Sequence, residues 1–159
     1  MLVQGKISLS KSSTGAATLF VPEPDRRLSP VVDSEGLNKV TIHNNYLIPM
    51  MTKLKDRVKD TQIFTKIDLK DGFHLIRIRM GDEWKPVFRT CYVLYEYNVM
   101  PFGLVNAPTN FQTMINEILQ ELLDDWVVVY MDDILIYSKI LRIIQQSFSS
   151  FYNRLGIFK

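Results

Sequence analysis

The chain has 159 residues, of which 47% are hydrophobic and 23% are charged, a balance typical of one compact globular domain. Its net charge of +2 is too small to indicate a partner, and its single cysteine, Cys91, excludes an internal disulfide and a zinc cluster. No apolar run approaches the roughly 20 residues that span a bilayer, and residues 1–6 lack the features of a signal peptide. We therefore expect an intracellular protein, in the cytoplasm or nucleus, that is neither secreted nor membrane-bound.

Charge is distributed unevenly along the chain. Residues 1–90 carry 15 Lys and Arg against 10 Asp and Glu, a net +5, whereas residues 91–159 carry 4 against 7, a net −3. A basic half beside an acidic half suits a polynucleotide held by the one and metal ions held by the other. A chance asymmetry on a solvated surface is the alternative interpretation.

The first part of the chain predicts a hairpin, a loop and a helix. Residues 2–17 show no clear pattern. Two short strands, Thr18–Val21 and Leu28–Val32, flank a turn that contains two prolines. Leu37–Tyr46 is predicted to be a loop, and Pro49–Val58 is predicted to be a helix with a stripe of Met and Leu.

The middle of the chain predicts mainly strands. Gln62–Leu69 is typical of a strand and is followed by the turn signal Asp71-Gly72. His74–Met80 alternates between apolar and polar side chains, which predicts a half-exposed strand. Trp84–Thr90 and Tyr92–Tyr97 predict two further strands, and a proline in the first of them indicates either a sheet edge or a weakened ladder.

The last part of the chain predicts a helix, a hairpin and a second helix. Asn106 is a favourable N-cap for a helix whose apolar stripe runs from Phe111 to Leu122. Trp126–Met131 and Ile134–Tyr137 are continuous apolar runs that predict two buried strands joined by a tight turn. Leu141–Leu155 has the apolar spacing of a helix.

Three acids are predicted to meet at one sheet edge. Asp132 and Asp133 lie between the two strands of the last hairpin, and Asp68 lies near the end of an earlier strand. Carboxylates about 4 Å apart repel by roughly 4 kcal/mol at an effective dielectric near 20, so a fold that gathers them usually holds a cation there. Hard oxygen ligands favour Mg²⁺, and two such ions suit in-line nucleotidyl transfer. The alternative is that Asp132 and Asp133 only form the turn.

Several short motifs connect these acids with the rest of the chain. Tyr130–Asp133 (Tyr-Met-Asp-Asp) is preceded by Lys66–Leu69 (Lys-Ile-Asp-Leu) and Met100–Leu104 (Met-Pro-Phe-Gly-Leu). Further segments, in order, are Leu19–Val21, Leu37–Thr41, Ile76–Ile78, Asp82–Lys85, Phe88–Thr90, Tyr95-Glu96, Asn106–Pro108 and Phe111-Gln112. From about Leu2 to Lys139 this ordered set resembles the reverse transcriptases of gypsy-type LTR retrotransposons. Each motif alone is weak, whereas the ordered set is specific.

The resemblance implies an α+β fold: a reverse-transcriptase palm, with an antiparallel sheet backed by helices, and partial fingers. It implies a single domain fragment in which residues of about 1–60 and 74–100 are fingers-like, and those of about 61–73 and 101–159 are palm-like. We expect no thumb within these residues, because the family's thumb, RNase H and integrase segments follow the part that this chain matches.

The resemblance also implies the chemistry. Asp68, Asp132 and Asp133 would be the catalytic residues and would hold two Mg²⁺ ions, for which Mn²⁺ can substitute. The implied partners are an RNA or DNA template with its primer, a dNTP and other parts of a Pol polyprotein. The implied nucleotide-binding residues are Asp71, Gly72, Phe73, Phe102 and Gly103. Candidate template or phosphate contacts are Arg26, Arg27, Arg77 and Arg79.

Two other functions remain open. The family's basic hairpin tip, Lys-Lys-Asp-Gly, is replaced by Glu23–Arg26, its arginine is replaced by Ser29, and a second arginine is replaced by Glu35. Loss of a charge-assisted hydrogen bond costs about 1.5–3 kcal/mol, so the chain could be a degenerate remnant that at most binds nucleic acid, and we expect weak or absent polymerisation by the isolated chain. An RNA-binding sheet of the RRM type would need exposed aromatics where the carboxylates lie.

Overall fold

The computed structural model describes residues 1–22, 28–46, 48–69, 71–123 and 125–139. The chain divides into two compact units. The first unit consists of Met1–His43 and Phe73–Ala107. The second unit consists of Asn44–Gly72 and the chain from Pro108 onward. The predicted α+β class is confirmed, since antiparallel sheets and helices occur together.

The first unit contains two antiparallel sheets. The strands are β1 (Ile7–Leu9), β2 (Thr18–Pro22), β3 (Leu28–Val32), β5 (Val87–Arg89) and β6 (Leu94–Tyr97). One sheet has the order β1-β6-β5, and β2 and β3 form a separate ribbon. The β2–β3 hairpin is where the sequence predicts it, whereas β1 lies in the segment that showed no clear pattern. The predicted strands around β5 and β6 are both longer than those observed.

The short helix α1 (Glu35–Val40) corrects the predicted loop at Leu37–Tyr46. The backbone N–H of Glu35 donates to the carboxylate of Asp33 at 3.0 Å, and Lys39 forms an ion pair with Glu35 at 2.8 Å. Asp33 and Glu35 precede the segment predicted as a loop, and their contacts stabilise a helical turn at the start of that segment. The prediction is therefore wrong over Leu37–Val40.

The predicted strand at His74–Met80 is also wrong. A 3₁₀ helix occupies Gly72–Leu75, and Arg77 forms only an isolated antiparallel bridge with Val99. The backbone N–H of Ile76 donates to the carbonyl of Phe73 at 3.2 Å, which turns the chain where a strand would extend it. The alternation of apolar and polar side chains therefore reflects local burial rather than a regular strand.

The second unit is built on a three-stranded antiparallel sheet with the order β4-β8-β7. Its strands are β4 (Ile63–Asp68), β7 (Val127–Tyr130) and β8 (Asp133–Ser138). Its helices are α2 (Met51–Val58) and α3 (Ala107–Ile118), the latter beginning at the last residue of the first unit. These strands and helices confirm the predictions for Gln62–Leu69, Pro49–Val58 and the last hairpin, and they confirm the Asn106–Leu122 helix as far as Ile118, where α3 ends. The helix predicted at Leu141–Leu155 lies outside the described residues.

The sheet of the second unit is apolar on both faces. Leu54 of α2 packs in a cluster with Val128 and Tyr137, and Leu135 packs against that cluster. Alternation along β8 directs Ile136 to the opposite face, where it is fully buried. Helix α3 contributes the fully buried side chains of Phe111 and Ile115, and Leu119, directly after the helix, is fully buried as well. No helix within the described part of the chain is long and apolar enough to cross a membrane.

Replacement of Ile136 by alanine tests the contribution of this core. Ile136 is 0% exposed, so we expect Ile136→Ala to lower the free energy of unfolding by about 2–5 kcal/mol. Ile42, which is 90% exposed, provides the matched control, and Ile42→Ala should change it by less than about 0.5 kcal/mol. Urea unfolding measures both variants, and equal losses would contradict the assignment of Ile136 to the core.

Candidate functional site

The three predicted acids lie at one end of the β4-β8-β7 sheet. Asp68, the last residue of β4, is the register partner of Asp133, the first residue of β8. Asp133 is also the partner of Tyr130 at the end of β7, so Met131 and Asp132 form a two-residue turn. The backbone N–H of Leu69 donates to the carbonyl of Asp132 at 3.3 Å. The backbone thus brings the three acids together, as the sequence predicts.

The turn depends on an unusual backbone conformation. Met131 has φ 55°, in the left-handed region that non-glycine residues rarely adopt. This conformation costs about 1–2 kcal/mol for an L-residue. It also permits the short connection that keeps Asp132 next to the ends of β7 and β8.

A buried glutamine from α3 stabilises the turn. Gln112 is 0% exposed, and its Oε1 accepts the backbone N–H of Met131 at 2.8 Å. Its Nε2 donates to the carbonyl of Val129 at 3.3 Å and to Oδ1 of Asn116 at 2.9 Å. The sequence indicates Gln112 only as part of a motif, because its spacing on the helix does not reveal which backbone groups it meets.

A lysine provides the local counter-charge. Nζ of Lys66 lies 2.9 Å from Oδ1 of Asp133, and the two side chains are 62% and 49% exposed. The hydrogen bond and the charge of Asp133 raise the pKa of Lys66, with smaller contributions from the charges of Asp68 and Asp132. This contribution to stability is therefore present below the ordinary pKa of lysine and is lost as the pH rises through the raised value. The sequence gives no signal for this role of Lys66.

The donor atoms at this sheet end suit Mg²⁺, since carboxylate oxygens are the hard ligands that this ion prefers. Across the described ranges, no group of three or more His, Cys, Asp or Glu side chains is placed so as to hold a metal ion. The backbone supplies the correct residues, while the carboxylate of Asp133 is paired with Lys66. The two-ion site therefore remains a prediction that needs the side chains to turn toward one another.

The residues predicted to bind the nucleotide are divided between the two units. In the second unit, Asp71 has φ 56° and Gly72 is buried, and a Cβ at Gly72 would lie 3.1 Å from the ring of Phe111. In the first unit, the rings of Phe73 and Phe102 meet edge to face with centroids 4.9 Å apart. Each group is thus ordered by its own contacts, and their nucleotide-binding role stays a prediction.

Gly103 in the first unit is held by Asn38 of α1. Nδ2 of Asn38 donates to the carbonyl of Gly103 at 2.7 Å, and its Oδ1 accepts the backbone N–H of Val105 at 2.9 Å. Gly103 itself has φ 92°, and a Cβ there would lie 3.4 Å from Oγ of Ser34. The sequence does not indicate this contact, because its pattern predicts a loop at Asn38.

Two cavities lie in the first unit. A cavity of about 440 Å³ is lined by Asn38, Gly103 and Val105, among others, and so includes one predicted site residue. A larger cavity of about 860 Å³ has Trp84 and Lys85 in its wall, and none of the predicted site residues lines it. The size of a cavity therefore does not indicate the site in this chain.

Two of the four predicted template or phosphate contacts lie in the described part of the chain. Arg77 and Arg79 are both exposed on the first unit. Their side chains are thus available to a polyanion, and contact with one stays a prediction. Arg26 and Arg27 lie outside the described residues.

Comparisons with known proteins identify the class. The family model of the reverse transcriptase (RNA-dependent DNA polymerase) matches residues 21–157. A structure of the foamy viral protease-reverse transcriptase dRH in complex with double-stranded DNA covers 97% of this chain and 27% of its own, with a TM-score of 0.87 and 21% identity. Another, in complex with an RNA/DNA hybrid, covers 97% and 20%, with a TM-score of 0.83 and 20% identity. These two likenesses show the fold.

The chain belongs to the reverse transcriptase family. The Transposon Tf2-3 polyprotein of Schizosaccharomyces pombe is 46% identical to it over 138 residues, which are 87% of this chain and 10% of the polyprotein. The resemblance to a retrotransposon reverse transcriptase is thereby confirmed. The chain spans about a tenth of the length of that relative.

Two glycine substitutions, expected to change the free energy of unfolding in opposite directions, test the strained turn in the first unit. Gly103→Ala should lower the free energy of unfolding by about 1–2 kcal/mol, because alanine at a positive φ is strained. Gly36→Ala, in α1 where a Cβ meets nothing within 4 Å, should raise it by about 0.5–1 kcal/mol. Thermal or urea unfolding measures both, and a neutral Gly103→Ala would contradict the strained geometry.

Proposed function

We propose that the chain is an RNA-directed DNA polymerase domain of retrotransposon origin. The observation that carries the proposal is the β4–β8 register, which pairs Asp68 with Asp133 beside the turn at Asp132. Family membership supports the reaction class. Residues of about 61–73 and 101–159 would serve as the palm, and residues of about 1–60 and 74–100 would serve as the fingers.

The proposed reaction is nucleotidyl transfer from a dNTP to a primer 3′-hydroxyl. Two Mg²⁺ ions bound by Asp68, Asp132 and Asp133, or Mn²⁺ in their place, would lower the pKa of the hydroxyl and neutralise the leaving pyrophosphate. The chain's own contribution is to hold the three carboxylates at one sheet end, because the β4–β8 register keeps their backbone positions adjacent.

The remaining predicted residues would bind the substrates. Asp71 and Gly72 form a turn that would bind the nucleotide, although the backbone N–H of Gly72 already donates to the carbonyl of Leu69 at 3.1 Å. Phe73 and Phe102 offer aromatic surfaces for a sugar or base, and Gly103 lets the backbone approach it. Arg77 and Arg79 would neutralise template phosphates.

The proposed partners follow from the relatives. The solved foamy viral proteins were bound to double-stranded DNA and to an RNA/DNA hybrid. A primed RNA or DNA template is therefore the proposed ligand of this chain, and other parts of a polyprotein are its proposed partners. Because its one cysteine, Cys91, is free and exposed, we propose a reducing location, in the cytoplasm or nucleus.

A degenerate remnant that at most binds nucleic acid is the second candidate function. It is favoured by the pairing of Asp133 with Lys66 and by the acid at Glu35, where the family has an arginine. Glu35 itself pairs with Lys39 at 2.8 Å, although both side chains are about 70% exposed. A pair so exposed offsets little of the repulsion that Glu35 would exert on a triphosphate.

Primer extension separates the two functions. Folded protein is given a homopolymer RNA template with its primer and dNTP, in Mg²⁺ and in Mn²⁺. We expect slow extension that Asp132→Asn reduces to background and that Asp125→Asn, at an exposed acid just before β7, leaves unchanged. Absence of extension by demonstrably folded wild-type protein would support the remnant.

Replacement of Lys66 tests metal binding without catalysis. Removing its charge leaves the carboxylate of Asp133 unpaired and frees it for a cation, so Lys66→Met should be less stable without metal and should gain more from Mg²⁺ than the wild type. Thermal unfolding at increasing Mg²⁺ concentration measures this gain. Lys53→Met, at an exposed lysine of α2, should behave like the wild type, and an unaltered Mg²⁺ response of Lys66→Met would contradict the role of Lys66.

A further inference from the structure

Gln112 is the fully buried polar side chain that connects α3 with the catalytic turn. Its carboxamide meets the backbone on both sides of Tyr130: the carbonyl of Val129 before it and the N–H of Met131 after it. No buried side-chain nitrogen or oxygen atom in the described part of the chain lacks a hydrogen-bond partner. Each polar atom of the Gln112 side chain therefore has at least one hydrogen-bond partner.

The orientation of this carboxamide is determined by its surroundings. Oε1 faces a donor, the N–H of Met131, and Nε2 faces two acceptors, the carbonyl of Val129 and Oδ1 of Asn116. A flipped carboxamide would place its nitrogen against the donor and its oxygen against both acceptors, which loses all three hydrogen bonds. The surrounding groups therefore favour this orientation of the carboxamide over the flipped one.

The network extends away from the turn in a defined order. Nδ2 of Asn116 donates to the hydroxyl of Tyr46 at 3.0 Å, and the backbone N–H of Tyr46 donates to Oδ1 of Asn44 at 3.1 Å. Nδ2 of Asn44 in turn donates to Oδ1 of Asn110 at 2.9 Å. Asn110 and Asn116 belong to the same helix as Gln112, so these contacts bind the segment around Tyr46 to α3 and restrain the side chain of Asn116.

The strained φ of Met131 explains why such a restraint is needed. A residue in the left-handed region relaxes to the ordinary region unless surrounding contacts prevent it. The N–H of Met131 points into the protein toward Oε1 of Gln112 and would lose that bond if the turn relaxed. Asp132, the next residue, would then leave the sheet end that it shares with Asp68 and Asp133.

We infer that Gln112 is a positioning residue: its carboxamide holds Met131 in the strained conformation and thereby sets the place of the Asp132 carboxylate. That the Asp132 carboxylate binds a metal ion rests on the proposed function. The hydrogen bond between Gln112 and the turn does not. Asn116 and Tyr46 act through Gln112 and fix its orientation. None of the three needs to touch substrate.

Site-resolved amide hydrogen exchange tests directly whether Gln112 holds the turn at Met131. Gln112→Met keeps the length and approximate volume of the side chain but removes its hydrogen bonds, and Gln120→Met makes the same change at an exposed position just beyond α3. In Gln112→Met we expect exchange at the amide of Met131 to accelerate by roughly tenfold or more relative to Ile136 in the same sheet. Gln120→Met should leave that ratio unchanged.

If exchange at Met131 accelerates only as much as exchange at the other sheet amides, the inference is overturned, because the protein has then lost stability as a whole. An unchanged ratio would overturn it as well. Tyr46→Phe removes the acceptor for Asn116 and should move the ratio in the same direction by a smaller factor. This readout needs no activity.

Mn²⁺ binding then tests whether Gln112 positions the Asp132 carboxylate for a metal ion. Binding is measured by the paramagnetic broadening of the amide signals of Asp68 and Asp133. Gln112→Met should weaken the affinity roughly tenfold or more, as loss of a supporting hydrogen bond does at other metal sites, while Gln120→Met does not. Equal affinity of wild type and Gln112→Met would overturn the inference. If wild-type protein binds no Mn²⁺, the proposed function fails, and the exchange ratio alone decides whether Gln112 holds the turn.

Discussion

The pairing of β4 with β8 is the constraint on which the rest of this molecule depends. In an antiparallel ladder a shift by one residue would move every side chain to the other face of the sheet. It would also separate Asp68 from Asp133, which are partners in the observed register. Such a shift would also move Ile136 and Tyr137, which are buried on opposite faces, out of the packing that each now makes. The core thus determines where the carboxylates lie, although it contains none of them.

Two side-chain amides perform the same task in different units. Asn38 bonds the backbone on both sides of Leu104, and Gln112 bonds it on both sides of Tyr130. Each amide holds a turn that contains a residue at positive φ, Gly103 in the first case and Met131 in the second. A side chain that both donates and accepts is suited to this work, since a turn exposes one carbonyl and one N–H close together. The predicted site is therefore supported by neutral groups whose hydrogen bonds do not depend on pH.

Periodicity and turn chemistry in the sequence predicted most of the second unit, including the hairpin that contains Asp132 and the strand that ends at Asp68. These elements are long or continuously apolar, so local pattern and tertiary packing favour the same structure. The errors fall in short segments where local polar contacts, which the apolar pattern does not show, favour a different structure. The N–H of Glu35 donates to Asp33 at the start of α1, and the segment after Gly72 follows a 3₁₀ turn instead of a strand. The acids at the site were predictable, whereas Lys66, Asn38 and the hydrogen bonds of Gln112 were not, because spacing along a chain does not show which partner a polar side chain meets.

The methionine at the strained turn is not the residue that this backbone conformation favours. Asparagine at position 131 would accept φ 55° with less strain, whereas glycine would relieve the strain but lose more conformational entropy on folding. The turn beside the predicted metal-binding acids therefore contains a residue that does not maximise the stability of the chain.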